Sequence, residues 1–222
     1  MSDFELIPIF PLSTVLVPGM SLPLHIFETR YRQLVTDLLQ LPEPERRFGV
    51  IAIKAGWEVG TSNTPALHQI GTMAKVRKIK HLAEGNFDLV TTGADRFSLE
   101  ELLPARAPYL MARVNFLPPA ETQAPDELIS HAMRSYLNYL RVIGETTEAA
   151  YAQLPSQAGA LANLLITTLS GNVQEQQQLL EMNSAKEKLS KLIKIFNRES
   201  ILLEEIPSIP APYLTSFSIS LN

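Results

Sequence analysis

The hydrophobic rhythm of the chain changes near its middle. From Phe4 to Pro23 the sequence FELIPIFPLSTVLVPGMSLP sets β-branched and aromatic residues between prolines at 8, 11, 18 and 23. Proline has no N–H for a strand ladder and breaks a helix interior, so this stretch reads as short strands joined by bends. Pro18-Gly19 has the form of a type II turn, whose third residue needs a positive φ. Leu22 to Phe27 reads as a second strand. A helix opens at Glu28, because Tyr31, Leu34, Val35 and Leu38 follow the i, i+3, i+4, i+7 spacing. Glu28 and Arg32 stand in the acidic-first order that favours pairing along a helix, and Pro42 and Pro44 end it.

Phe48 to Ile53, FGVIAI, is wholly apolar, the pattern of a strand covered on both faces. Lys54 to Gln69 shows no period and reads as a long loop. From Gly71 two strand-like runs flank Glu84-Gly85-Asn86, where Gly-Asn signals a tight hairpin. Arg96 to Leu99 and Leu110 to Phe116 add two further short strands. After the proline and polar stretch Pro118 to Pro125 the pattern becomes helical. Leu128, Ile129, Ala132, Met133, Tyr136, Leu137 and Leu140 share one face, with Asp126 as the expected N-cap. Leu161, Leu165 and Leu169 belong to a second helix ending near Gly171, and Val173 to Glu181 forms a third. Ser184-Ala185-Lys186-Glu187 has the S-x-x-E form of a capping box opening a last helix with the stripe Leu189, Leu192, Ile193, Phe196 and Leu203. The expected fold class is α+β: a β-rich unit with one helix over 1–118, a linker at 119–125, a helical unit over 126–205 and an extended, proline-containing tail over 206–222.

Composition narrows the chemistry. A chain of 222 residues with 45% hydrophobic and 19% charged residues is expected to fold around a sizeable core. With 19 basic and 23 acidic residues the net charge is -4, and all of that excess lies beyond residue 120. Such a balance asks for neither nucleic acid nor an anionic membrane. The absence of cysteine excludes disulfides, zinc-thiolate and iron–sulfur sites and a thiol nucleophile. The acidic start and the lack of an apolar run near the roughly 20 residues of a membrane span point to a cytoplasmic protein without a membrane partner. No phosphate-binding glycine loop, S-x-x-K or G-x-S-x-G motif is present. His25, His68, His81 and His131 lie far apart without metal-binding spacing, so no metal or cofactor is expected. Lys75, Arg77, Lys78, Lys80 and His81 form the strongest basic cluster. Strand alternation splits it between two faces, and no aromatic residue lies between Met73 and Asn86 to stack a base.

Several of these motifs together resemble the LON domain family, the amino-terminal substrate-recognition domain of Lon ATP-dependent proteases. They are Phe10-Pro11-Leu12, Val15-Leu16, Pro18-Gly19, Leu22-Pro23-Leu24, Ile26-Phe27-Glu28 and Arg30-Tyr31-Arg32. FGVIAI, Ile70-Gly71-Thr72-Met73-Ala74, Gly93 with Arg96-Phe97, and Pro108-Tyr109-Leu110 with Ala112 are similar to later stretches of that family, and the resemblance runs over about 6–205. It implies a PUA-like β-barrel followed by a helical bundle, and protein recognition as the shared property. Lon proteases continue into an ATPase module and a serine–lysine peptidase. This chain ends at Asn222 with neither, so the expectation is a non-enzymatic, free-standing LON-type protein.

Within the signature, Phe10, Leu12, Val15, Leu24, Ile26 and Phe27 are expected in the core. The Pro18-Gly19-Met20 turn and Trp57, the single tryptophan, are the candidate protein-binding residues, since exposed aromatics anchor protein contacts. In the tail, Tyr213, Phe217 and Ile219 lie on the apolar side of an alternating pattern suited to self-association or to filling a recognition groove. The resulting expectation is a module for client proteins or peptides, working with a separate ATP-dependent protease or chaperone. RNA-binding PUA-like and small-molecule-binding proteins are the alternatives.

Overall fold

The computed structural model describes residues 4–55, 66–104, 106–145, 147–169 and 171–205. Five strands make a barrel: β1 (Glu5–Leu12), β3 (Arg47–Ala55), β5 (Ile70–His81), β6 (Phe87–Leu103) and β7 (Leu110–Phe116). The neighbour order is β1-β7-β6-β5-β3. The parallel pairing of β3 with β1, with Ile9 opposite Gly49, closes the circle and leaves these strands no free edge. Between β1 and β3 in sequence, β2 (Ser21–Ile26) lies along the first half of β6. The short β4 (Ala66–Leu67) pairs with the end of β3.

Ile7, Ile9, Ile51, Met73, Phe97, Ala112 and Val114 fill the barrel. The Phe97 ring fits because two glycines face it. A Cβ on Gly71 would stand 2.5 Å from the ring and one on Gly49 would stand 2.8 Å away. Outside the barrel, α1 (Thr29–Leu39) buries Tyr31, Leu34, Val35 and Leu38 against Phe10, Phe48 and Leu89. Tyr31 stacks on Phe10 with centroids 3.9 Å apart. Each of these side chains contributes about 1.5–3 kcal/mol on burial. The pattern of FGVIAI is thereby explained. Ile51 faces the barrel interior, Phe48 and Val50 face α1, and Ala52 faces the second helical layer.

That layer comprises α2 (Asp126–Val142), α3 (Thr147–Gln153), α4 (Ala158–Thr167), α5 (Val173–Glu181) and α6 (Ala185–Glu205). Leu161, Leu165, Leu179, Leu189 and Leu192 are fully buried in it, and Tyr136 and Tyr139 of α2 pack on Phe196 of α6 at 5.3 and 5.4 Å. Val15 and Val17 from the barrel side belong to the same cluster, so the two layers share apolar contact.

Several local expectations give way. The segment Arg96–Leu99 is no separate strand but part of β6, which runs 17 residues through a bulge. Glu84 and Gly85 turn the hairpin, both with left-handed backbone (φ 60° and 73°), rather than Gly85-Asn86. Glu28 pairs with Arg30 at 3.0 Å, while Arg32 donates to the Glu84 carbonyl at 2.7 Å and ties α1 to that turn. Asp126 is the first helical residue and Pro125 holds the N-cap position. Phe27 is 52% exposed and Leu203 is also exposed, so neither belongs to the core. Helix α3 has no sequence forecast, being short and without an apolar repeat.

Candidate functional site

A cleft of about 380 Å³ opens between the barrel and the helices. Its barrel wall is the Pro18-Gly19 turn with Ala94 to Arg96 of β6. The residues following β7 form another wall, and Ala160, Asn163, Ala185 and Lys188 of α4 and α6 complete it.

The turn is held firmly. Gly19 has φ +83°, and the Met20 N–H donates to the Val17 carbonyl at 3.1 Å, the geometry of a type II turn. The Gly19 N–H donates to the Gly93 carbonyl, and the Gly93 N–H to the Met20 carbonyl, each at 2.9 Å. Gly93 allows this approach because any Cβ there would collide with the Val17 carbonyl. Asn163 Nδ2 of α4 donates to the Pro18 carbonyl at 3.1 Å, joining the turn to the helices. Pro18 and Gly19 therefore face the cleft, whereas Met20 packs against the helical core. Trp57, Tyr213, Phe217 and Ile219 lie outside the described residues.

Next to the turn, Ala94 and Asp95 together oppose Met73, a bulge in β6 that lets Arg96 and Phe97 both be buried on opposite sides of the strand. Arg96, 5% exposed, donates from Nη1 to the carbonyls of Leu180 (2.7 Å) and Met182 (3.0 Å) and from Nη2 to Asn183 Oδ1 (2.8 Å). Those carbonyls end α5, where helix geometry leaves acceptors unfilled and the dipole favours a cation. A second stitch runs alongside. The Glu121 N–H donates to the Asn183 carbonyl and the Ala185 N–H to the Glu121 carbonyl, both at 2.8 Å. Gln177, fully buried on α5, adds a donation from Nε2 to the Ile70 carbonyl at 2.9 Å.

Lys188 is the residue that sequence reasoning missed. It is 3% exposed, and among the described residues its ammonium has neither a hydrogen bond nor an ion pair. Burial first, and the Arg96 charge second, push it down to about 8. A readable signal existed: Lys188 stands four residues before Leu192 and three after Ala185, on the buried stripe of α6.

The basic cluster on β5 is not split. Val76 pairs with Thr91 and Lys78 with Val90, so Arg77 is an inserted residue. The bulge shifts the inward register from Val76 to Ile79, both packed on the α1 side, and brings Lys75 and Lys80 to one outer face. Arg77 and Lys78 are exposed beside them.

The family model for the ATP-dependent protease La (LON) substrate-binding domain matches residues 6–198. The chain is 27% identical over 203 residues to Lon protease 2 of Herpetosiphon aurantiacus, across 89% of this chain and 24% of that protein. It is 28% identical over 210 residues to the Lon protease of Syntrophus aciditrophicus, across 90% and 26%. It thus spans about a quarter of the length of the curated relatives it matches. Among solved structures it resembles a Lon N-terminal domain protein from Xanthomonas campestris, with TM-score 0.61 and 22% identity over 86% of this chain and 98% of that one. It also resembles the N-terminal domain of a Mycobacterium avium complex Lon protease, with TM-score 0.63 and 18% identity over 87% and 98%. These two likenesses concern the fold. With the family match extending over most of the residues that build the barrel and the helices, the chain belongs to the LON substrate-binding domain family.

Proposed function

We propose that the chain is a non-catalytic protein-recognition module that receives segments of client proteins in the cleft between barrel and helices and delivers them to a separate ATP-dependent protease or chaperone. The observation that carries this reading is the cleft itself. Pro18, Leu117, Pro118 and Pro119 supply rigid apolar surface, and polar side chains converge on the same space. Concave, mostly apolar sites with a few placed polar groups are where ligands bind. A family whose description is substrate binding supports the same reading.

Ala160 tests it, because it is exposed and lines the cleft. Ala160→Trp fills the opening without entering the core. Fluorescence anisotropy with a reduced, carboxymethylated model protein is expected to show at least about tenfold weaker binding for this variant than for the wild type. Equal affinities would remove the cleft from the reading.

A further inference from the structure

The cleft holds two buried cations, with two carboxylates at its exposed margin. Lys188 and Arg96 are both more than nine-tenths buried. All the hydrogen bonds of the Arg96 side chain go to the α5–α6 junction, whereas the Lys188 side chain makes none among the described residues. Lys188 is also the fourth residue of α6, where the helix dipole presents its positive end. Asp95 and Glu121 line the cleft too, but both are exposed and neither pairs with Lys188. Lys188 is buried as a residue yet lines the cleft, so its ammonium depends on whatever occupies the cleft for its acceptors. An unfilled ammonium, the positive end of a helix and a concave volume favour the same guest.

We infer that Lys188 receives a carboxylate of the bound peptide, contributed either by the chain terminus or by an acidic side chain, while the proline-lined walls take the neighbouring apolar residues. This rests on the recognition reading above and gives it a chemical class. A carboxylate held there forms charge-assisted hydrogen bonds with the ammonium in a site of low dielectric. Phosphate is a poorer guest than a carboxylate with an apolar neighbour, because the prolines leave little of the wall able to donate to its remaining oxygens.

The test uses the full chain and three tripeptide probes: acetyl-Ala-Ala-Leu with a free terminus, its C-terminal amide, and acetyl-Ala-Glu-Leu-amide. The lysines are observed by NMR after reductive ¹³C-methylation, with Lys188 assigned from the Lys188→Met variant. At least one carboxylate probe is expected to shift the Lys188 signal and to bind about tenfold tighter than the neutral amide, a preference absent from Lys188→Met. Which probe does so distinguishes terminal from side-chain recognition. The preference is expected to fade as pH rises past about 8, where the ammonium is lost. The carboxymethylated client from the cleft test is run in parallel. If the wild type binds that client but treats carboxylate and amide probes alike, the carboxylate site is refuted and recognition stands. If a carboxylate probe moves Lys188 while the client neither binds nor competes, the site stands and client recognition falls. If no probe and no client binds, both are overturned.

Discussion

Replacing Lys188 by methionine gives the sharpest test of how the seam is built, because the structure predicts that losing a charge makes the protein more stable. Methionine matches the length of the lysine stem and removes the ammonium. In the folded chain that group sits at about 8 against an ordinary 10.5, chiefly because it is buried and secondly because of Arg96. At about 1.4 kcal/mol per pH unit, the gap of about 2.5 units corresponds to roughly 3 kcal/mol held against folding at pH 7. Part of this is returned by local relaxation, so the expected gain is about 1–3 kcal/mol. For a chain of this size that is about 2–12 °C in Tm. The pH dependence fixes the cause. Between about 8 and 10.5 the unfolded lysine holds a proton that the folded one has lost, so wild-type stability rises with pH across that window. Lys188→Met lacks this rise, and its advantage at pH 7 is expected to shrink almost to nothing near pH 10.5. Urea denaturation of both proteins at pH 7 and pH 10.5 measures it. A variant less stable at pH 7, or an advantage identical at both pH values, would refute the assignment of Lys188 as a buried, unpartnered cation.

Arg96→Met leaves two carbonyls and Asn183 without their donor and is expected to cost about 3–5 kcal/mol, read by the same denaturation assay; a loss below about 1 kcal/mol would mean that Arg96 does not clamp the layers. Tyr109 donates from its hydroxyl to Asp37 Oδ2 at 2.8 Å, and burial together with that carboxylate pushes the phenol up to about 12. Ultraviolet titration is expected to show Tyr109 ionising late, with stability lost as pH rises from about 10 to 12, and Asp37→Asn is expected to bring the Tyr109 midpoint down. A chain stopped at Glu205 tests the proposed role of Tyr213, Phe217 and Ile219: light scattering is expected to show a lower mass, or client binding to strengthen. Unchanged mass with unchanged binding counts against self-association and groove filling alike.

The periodic elements were the legible part of this fold. Tyr31, Leu34, Val35 and Leu38 are buried as their spacing requires, and Pro18-Gly19 makes the turn its residues demand. What pattern reasoning lost lies mainly at bulges, since one inserted residue reverses the parity on which strand arguments depend. The insertion at Arg77 placed Lys75 and Lys80 on the same face, and the pair Ala94-Asp95 made one long strand look like two. Pro18 and Gly19 line the cleft wall, but nothing in the residues of the turn itself shows the helices it meets. Lys188 escaped because a lysine in a sequence such as KEKLSKLIK reads as solvated. Its burial is a consequence of the layers closing over it, a tertiary event that no local window contains.

The fastening of the Pro18-Gly19 turn sets a limit on how the cleft can respond to what enters it. Loops that order themselves around a guest adapt to many shapes and lose conformational entropy at each binding event. This turn is tied to Gly93 from both sides and to Asn163 from above, so its entropy is already spent when the chain folds. A segment that matches the wall meets no ordering cost there, and one that does not match cannot push the wall aside. On the proposed recognition role, the breadth of acceptable clients would be governed by the rest of the cleft rim, and changes that loosen the turn, such as a side chain forced onto Gly93, are expected to widen the range of segments accepted while weakening the hold on each.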